Sequence, residues 1–185
     1  MTAAPHTSQD WLAILDAEGV GGFNARRQAM GYEYLELSDL DLSHRDLSGI
    51  NLSNARLRDV SLDYAYLAES RLILADIRNA SCRETDFYMA MMDESEWVDC
   101  DCAGANFQAG GLADASFTRV RAMGARFQDA DLSDAILDDC DLDDADFTGA
   151  SLPGTDLSKA RAPWAIFDDC RNDERTRWAP SADVV

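Results

Sequence analysis

Two apolar columns run through the chain at a period of five. From Leu37 to Phe167, 27 positions spaced five apart carry 14 Leu, six Phe, one each of Ile, Met and Trp, two Cys and two Ala, and no charge. A second column lies two residues earlier, from Leu35 to Ala165. It is built of small residues: 14 of its 27 members are Ala, and Arg45 is its one charged member. All 28 acidic residues between positions 35 and 169 fall on the other three positions of each five. A helix would wrap a period of five around its whole circumference, and a strand would alternate every two residues. Two inward residues followed by three outward ones predict a solenoid instead. Short extended sides alternate with turns, and stacked coils pair their backbone groups.

The number of sides follows from volume. Sorting the large positions by twenties puts Leu47, Leu67, Phe87, Phe107, Phe127, Phe147 and Phe167 in one column, with five Phe consecutive. A neighbouring column reads Leu42, Leu62, Cys82, Cys102, Ala122, Leu142 and Ala162, and it shrinks where the other columns carry Phe and Trp. Such compensation within a coil is what a close-packed interior demands, so four sides per coil are expected.

Segments such as AspAlaAspPheThr (144–148), AlaAspLeuSerAsp (130–134) and AlaAsnPheGlnAla (105–109) resemble the pentapeptide repeat family, with its A-(D/N)-L-x-x consensus. The resemblance covers residues 35–169 without a break. It implies an all-β solenoid, a right-handed quadrilateral β-helix; 27 repeats make 6.75 coils. At ~4.8 Å per coil the rod is roughly 32 Å long.

The ends of a solenoid need covers. The expected organisation is an N-terminal tail and helical cap (1–34), the repeat β-helix (35–170), and a C-terminal cap and tail (171–185). Within residues 8–30, Ser8 suits an N-cap, Asp10 the positive helix end and Gly19 a stop. Trp11, Leu12, Ile14, Leu15 and Phe23 supply an apolar lid, and Trp178 a smaller one at the other end. The inward Arg45 is expected to be buried against a cap carboxylate such as Glu33.

The 185 residues hold 35 Asp+Glu and 16 Lys+Arg, a formal net charge of −19. So few bases argue against a nucleic-acid partner, and the acidity against an anionic membrane surface. With neither a membrane-length apolar run nor a secretory leader, the expected location is cytoplasmic.

The chemistry expected of the side chains is sparse. Cys82, Cys100, Cys102, Cys140 and Cys170 all sit on inward positions and read as small buried hydrophobes rather than metal ligands. Cys82 and Cys102 stack on adjacent coils, but a reducing compartment argues against a disulfide. No nucleophile–base pair, metal motif or phosphate-cradling loop stands in the sequence. No enzyme activity, metal or cofactor is expected.

Two surface features remain. Tyr64, Tyr66, Ile73, Leu74, Tyr88, Met89 and Met91 occupy outward positions on the second and third coils, a candidate interface for another protein or for a homodimer. Asp129, Asp131, Asp134, Asp138, Asp139, Asp141, Asp143, Asp144 and Asp146 form a dense acidic run; with Asp156 they make ten acids between Phe127 and Ser158, where no Lys or Arg intervenes before Lys159. The repeat region nets −17, from 28 acids and 11 bases. B-DNA of about the same length carries roughly 19 charges, one per ~1.7 Å. The family resemblance implies a corresponding function, since some members mimic DNA on gyrase, a type II topoisomerase. Two features of those relatives, an apolar C-terminal dimerisation segment and loops breaking the rod, are missing here. The expected function is therefore a non-catalytic protein-interaction module, with DNA mimicry on gyrase as the alternative.

Overall fold

The computed structural model describes residues 7–31 and 34–180. One helix, α1 (Ser8–Ala29), precedes six short strands: β1 (Leu35–Ser38), β2 (Ala55–Arg58), β3 (Asp76–Arg78), β4 (Glu96–Val98), β5 (Ser116–Thr118) and β6 (Ile136–Asp138). The strands form one parallel sheet in chain order. Register is constant at twenty residues, as in Leu37↔Leu57, Leu57↔Ile77 and Ile77↔Trp97. The chain is a four-sided β-solenoid. Its other three sides are held by single parallel bridges with the same offset, beginning at Asp41↔Ser61, Asp46↔Tyr66 and Asn51↔Arg71. We number the strand-bearing side first and these three second, third and fourth. The six strands enclose about five turns, fewer than the 6.75 expected, because the last coil is joined by bridges alone, the final one being Asp156↔Arg177.

Each side makes two ladder bonds to its neighbours: Leu62 N–H donates to Ser81 O at 2.7 Å, and Ser61 N–H to Leu40 O at 2.9 Å. The interior behaves as the volume pattern predicts. Phe87, Phe107, Phe127, Phe147 and Phe167 stack with centroid spacings of 5.1, 4.9, 4.7 and 5.0 Å. Trp97, on the first side, meets Phe87 of the opposite third side edge-on at 5.6 Å, beside the small Cys82 column on the second side between them.

The corners explain much of the acidity. From Asp39 to Gly154 every fifth residue has a positive φ, and on three of the four corners the large residue's carbonyl accepts from the next small residue, as Leu62 O does from Ala65 N–H at 2.9 Å. That is type II turn geometry, which demands a left-handed residue. Asp and Asn tolerate this region better than most L-residues. Nine corners are Asp: Asp39, Asp59, Asp99, Asp114, Asp129, Asp134, Asp139, Asp144 and Asp169. A second group of aspartates precedes the large residue and accepts the backbone N–H two positions on, as Asp46 does from Ser48 at 3.1 Å and Asp156 from Ser158 at 2.9 Å.

Both ends are covered. Thr7, rather than Ser8, is the N-cap of α1, in a capping box with Asp10. The hydroxyl of Ser8 is used on the rod, accepting from Ser38 N–H at 2.9 Å. Gly19 does not stop the helix; its φ of 65° kinks it, and helical structure resumes to Ala29. Trp11, Leu15 and Phe23 are buried over the first coil, with Leu12 and Ile14 packed beside them. The cap also satisfies the coil's open backbone edge. Asn24 donates to Gly49 O at 2.9 Å and accepts from Asn51 N–H at 2.8 Å, while Arg27 donates to Ser53 O at 2.5 Å. Arg27 is fully buried and Arg45 only half-buried, so the expected interior arginine is a different one. The cap carboxylate that meets Arg45 is Asp16, at 2.5 Å; Glu33 lies outside the described residues. At the far end Trp178 closes the ring column against Phe167 at 5.2 Å, edge to face.

Candidate interaction surfaces

The register divides the seven outward apolar residues. Tyr66 and Tyr88 lie on the third side, Met89 on the corner that follows and Met91 just beyond it on the fourth side; all four are exposed, Tyr66 by 57%. They form one island, continued one coil later by the small residues Ala109, Gly111 and Ala113. Ile73 sits beside it on the fourth side, half-buried, in an open cleft of about 420 Å³ with Asn51, Ser53, Asn54 and Arg71. Tyr64 stands on the corner before the third side, its ring stacked on His44 at 5.1 Å. Leu74 is turned to the opposite corner, where it lines a second open cleft of about 500 Å³ with Tyr34, Asn54, Arg56 and Asp76. Tyr34 there carries the Arg56 guanidinium over its ring at 4.4 Å.

Four acids border the island: Asp46, Glu69 and Asp86 on the third side and its corner, and Asp93 beyond Met91. Asp86 is oriented by Asn106 Nδ2 at 2.7 Å and Tyr88 N–H at 3.1 Å. Among the described residues none of the four is paired with an Arg or Lys. Arg71 is the base on this border, in register with Met91.

The nine late aspartates are not gathered on one side. The register spreads them over all four: Asp138 and Asp139 on the first side and its corner, Asp141, Asp143 and Asp144 on the second, Asp146 and Asp129 on the third, Asp131 and Asp134 on the fourth. They form a belt. Bases from later in the chain fold onto it. Arg161 meets Asp141 at 2.7 Å and Asp143 at 3.1 Å, Lys159 meets Asp138 at 2.8 Å, and Arg175 meets Asp134 at 2.5 Å. Four of the nine are thus paired; Asp129, Asp131, Asp139, Asp144 and Asp146 are not, among the described residues. Asp146 is partly withdrawn from solvent, which raises its pKa, but hydrogen bonds from Thr148 and Gln128 outweigh this and hold it below the usual carboxylate range.

The five thiols are free, four of them buried and Cys170 half-buried. Burial pushes Cys100 and Cys140 up to about 12 and Cys170 to about 11. Cys102 lies well above the ordinary thiol value, first through its hydrogen bond with Cys82 and then through burial. Such groups are neutral at physiological pH and poor nucleophiles. Among the described residues, no group of three or more His, Cys, Asp or Glu is placed to hold a metal ion, and no helix is long and apolar enough to cross a membrane.

Sequence reasoning missed four exposed apolar residues late in the rod: Met123, Ile136, Ile166 and above all Trp164, exposed by 71%. Their outward register positions were the available signal. Trp164 also departs from the repeated corner, since it and Lys159 are the two corner residues before Asp169 without a positive φ.

The family model for pentapeptide repeats matches eight copies, over residues 36–72, 55–90, 100–139, 125–161 and 140–171. With more than half of its length matched, the chain belongs to the pentapeptide repeat family. None of the curated proteins compared is similar enough in sequence to count as a relative. Similar solved structures include trypsin-treated QnrB1, a plasmid-mediated fluoroquinolone resistance protein, at 16% identity over 76% of this chain and 91% of that one, with a TM-score of 0.39. HetL, involved in heterocyst differentiation regulation in the cyanobacterium Nostoc, is 24% identical over 81% of this chain and 93% of its own, with a TM-score of 0.27. A pentapeptide repeat protein from the cyanobacterium Cyanothece is 16% identical over 84% and 97%, with a TM-score of 0.30.

Proposed function

We propose that this pentapeptide repeat protein is a non-catalytic, cytoplasmic interaction module whose recognition surface is the island of Tyr66, Tyr88, Met89 and Met91. The observation that carries the reading is the contrast between this island and the rest of the rod. Corner and pre-core aspartates dominate the outer surface and have local folding roles in turns and backbone caps. Two Tyr and two Met side chains side by side have none. Tyr and Met are enriched at protein interfaces, and buried Tyr anchors are frequent hot spots. The neutral, buried thiols agree with a binding rather than a chemical role.

The test is quantitative capture of partners from the native cell on two baits, the parent and the Tyr66→Ser/Tyr88→Ser/Met89→Ser variant. The reading requires a partner retained by the parent and lost from the variant. Equal recovery on both baits contradicts it.

The second reading, DNA mimicry on gyrase or another type II topoisomerase, draws on the five late aspartates outside ion pairs. It is weakened by their distribution around all four sides and by the bases folded onto their neighbours. A supercoiling assay with purified gyrase, with and without a fluoroquinolone, decides it. The absence of both inhibition and protection would remove it.

A further inference from the structure

We infer that the Tyr/Met island receives a basic amphipathic segment of another protein, rather than a second copy of this chain. The inference rests on the proposed interface and names the chemistry of its occupant.

Charge makes the choice. The island is bordered by Asp46, Glu69, Asp86 and Asp93, with Arg71 alone opposing them at its edge. Elsewhere the rod answers many of its acids internally: Asp76 lies near Arg56, Arg58 and Arg78, and Asp99 meets Arg119 at 2.6 Å. Around the island, among the described residues, none of the border carboxylates meets a base. A second copy would bring another formal net charge of −19 with it and set this border against its own like charges. Like-charge juxtaposition across an interface costs several kcal/mol, whereas an opposite charge steers and retains a partner. A partner with Lys and Arg beside its apolar anchors turns the same border into complementary contacts.

Shape and chemistry agree with a segment rather than a large domain face. The apolar surface spans the second to fourth coils, from Tyr66 through Tyr88 and Met89 to Ala109. At ~4.8 Å per coil that is about 10 Å, close to the ~10–12 Å diameter of a helix. The phenol rings offer rigid contact area on the flat third side. The unbranched thioethers of Met89 and Met91, at its margin, adapt to differing apolar side chains. The small Ala109 and Gly111 leave the surface open on the late side; a Cβ at Gly111 would come within 3.1 Å of Asp93 Oδ1.

The experiment uses the full chain and a synthetic 18-residue peptide of Leu and Lys, arranged so that the Leu residues share one helical face. A scrambled peptide of the same composition has no such face. Titration calorimetry at 150 mM salt is expected to give the amphipathic peptide at least about tenfold tighter binding than the scramble. Changing Tyr88→Ser and Met89→Ser should weaken it about tenfold. Changing Glu69→Gln, Asp86→Asn and Asp93→Asn should weaken it and flatten its salt dependence. Asp139→Asn/Asp144→Asn, on belt corners away from the island, should leave it unchanged. Unaltered urea midpoints show that each variant is folded, and Met91→Gln serves as a milder probe of the island. Equal binding of the scramble, or indifference to both island variants, overturns the inference. So does a dimer of the parent that the island variants dissociate. If capture from the native cell still depends on the island while the peptide fails, the interface stands and the basic partner falls.

Discussion

Arg161 reaches back one coil to hold both Asp141, at 2.7 Å, and Asp143, at 3.1 Å. A run of ten acids in the sequence is therefore not a bare anionic surface in the folded rod. Twenty residues of chain separate Arg161 from Asp141, and the solenoid converts that separation into adjacency. Because the guanidinium is largely exposed, Arg161→Gln should leave the urea midpoint nearly unchanged. A larger loss would mean that the pair organises the coil rather than decorating it.

The ring column should carry a much larger share. Phe107 is fully buried and stacks on both Phe87 and Phe127. Phe107→Ala should cost about 3–5 kcal/mol, the usual range for deleting a buried ring. Trp178→Ala, at the half-exposed end of the column, should cost less than half as much. Urea unfolding of the two variants makes the comparison, and equal losses would contradict the ranking.

At the corners the usual order of residues is reversed. Ala109 is exposed with a φ of 55°, a region that costs an L-residue about 1–2 kcal/mol and glycine little. Ala109→Gly should therefore stabilise the rod, by up to about 1 kcal/mol, where the same change in a helix would destabilise it. A lower melting temperature would show that the turn is held without strain.

How far the chain could be read unaided follows from which features repeat. Leu37 and its successors, the Ala column, the four sides and the Phe stack were legible because each position recurs and errors average out. Thr7, the kink at Gly19 and buried Arg27 occur once, in a cap without a period. Charge pairing was hidden for another reason. Asp134 and Arg175 lie 41 residues apart, and only the coil register says that they meet. The island was visible as outward apolar residues, but Leu74 and Tyr64 were assigned to it because position within five does not by itself specify the side. Division by twenty separates them.

Acid should destabilise the protein through its backbone-capping carboxylates. Burial raises the pKa of Asp146, but the bonds from Thr148 and Gln128 prevail and leave it lowered; Asp156 is likewise lowered, Ser158 outweighing burial. A carboxyl whose folded pKa is depressed stabilises fully above its unfolded pKa of about 3.9 and loses that contribution as pH falls through the folded value. The melting temperature should hold from pH 7 to about 5 and drop below about 4. Asp146→Asn should be less stable at pH 7 and lose less on acidification. A parallel curve for this variant would exclude Asp146 from the transition.

The central claim is that recognition belongs to the island and not to the acidic belt. Its most direct measurement is the retention of native-cell partners by three baits compared side by side: the parent, Tyr66→Ser/Tyr88→Ser/Met89→Ser, and Asp139→Asn/Asp144→Asn. A partner held by the parent should be lost from the first variant and kept by the second. Loss from the belt variant alone, with the island variant still binding, would contradict it.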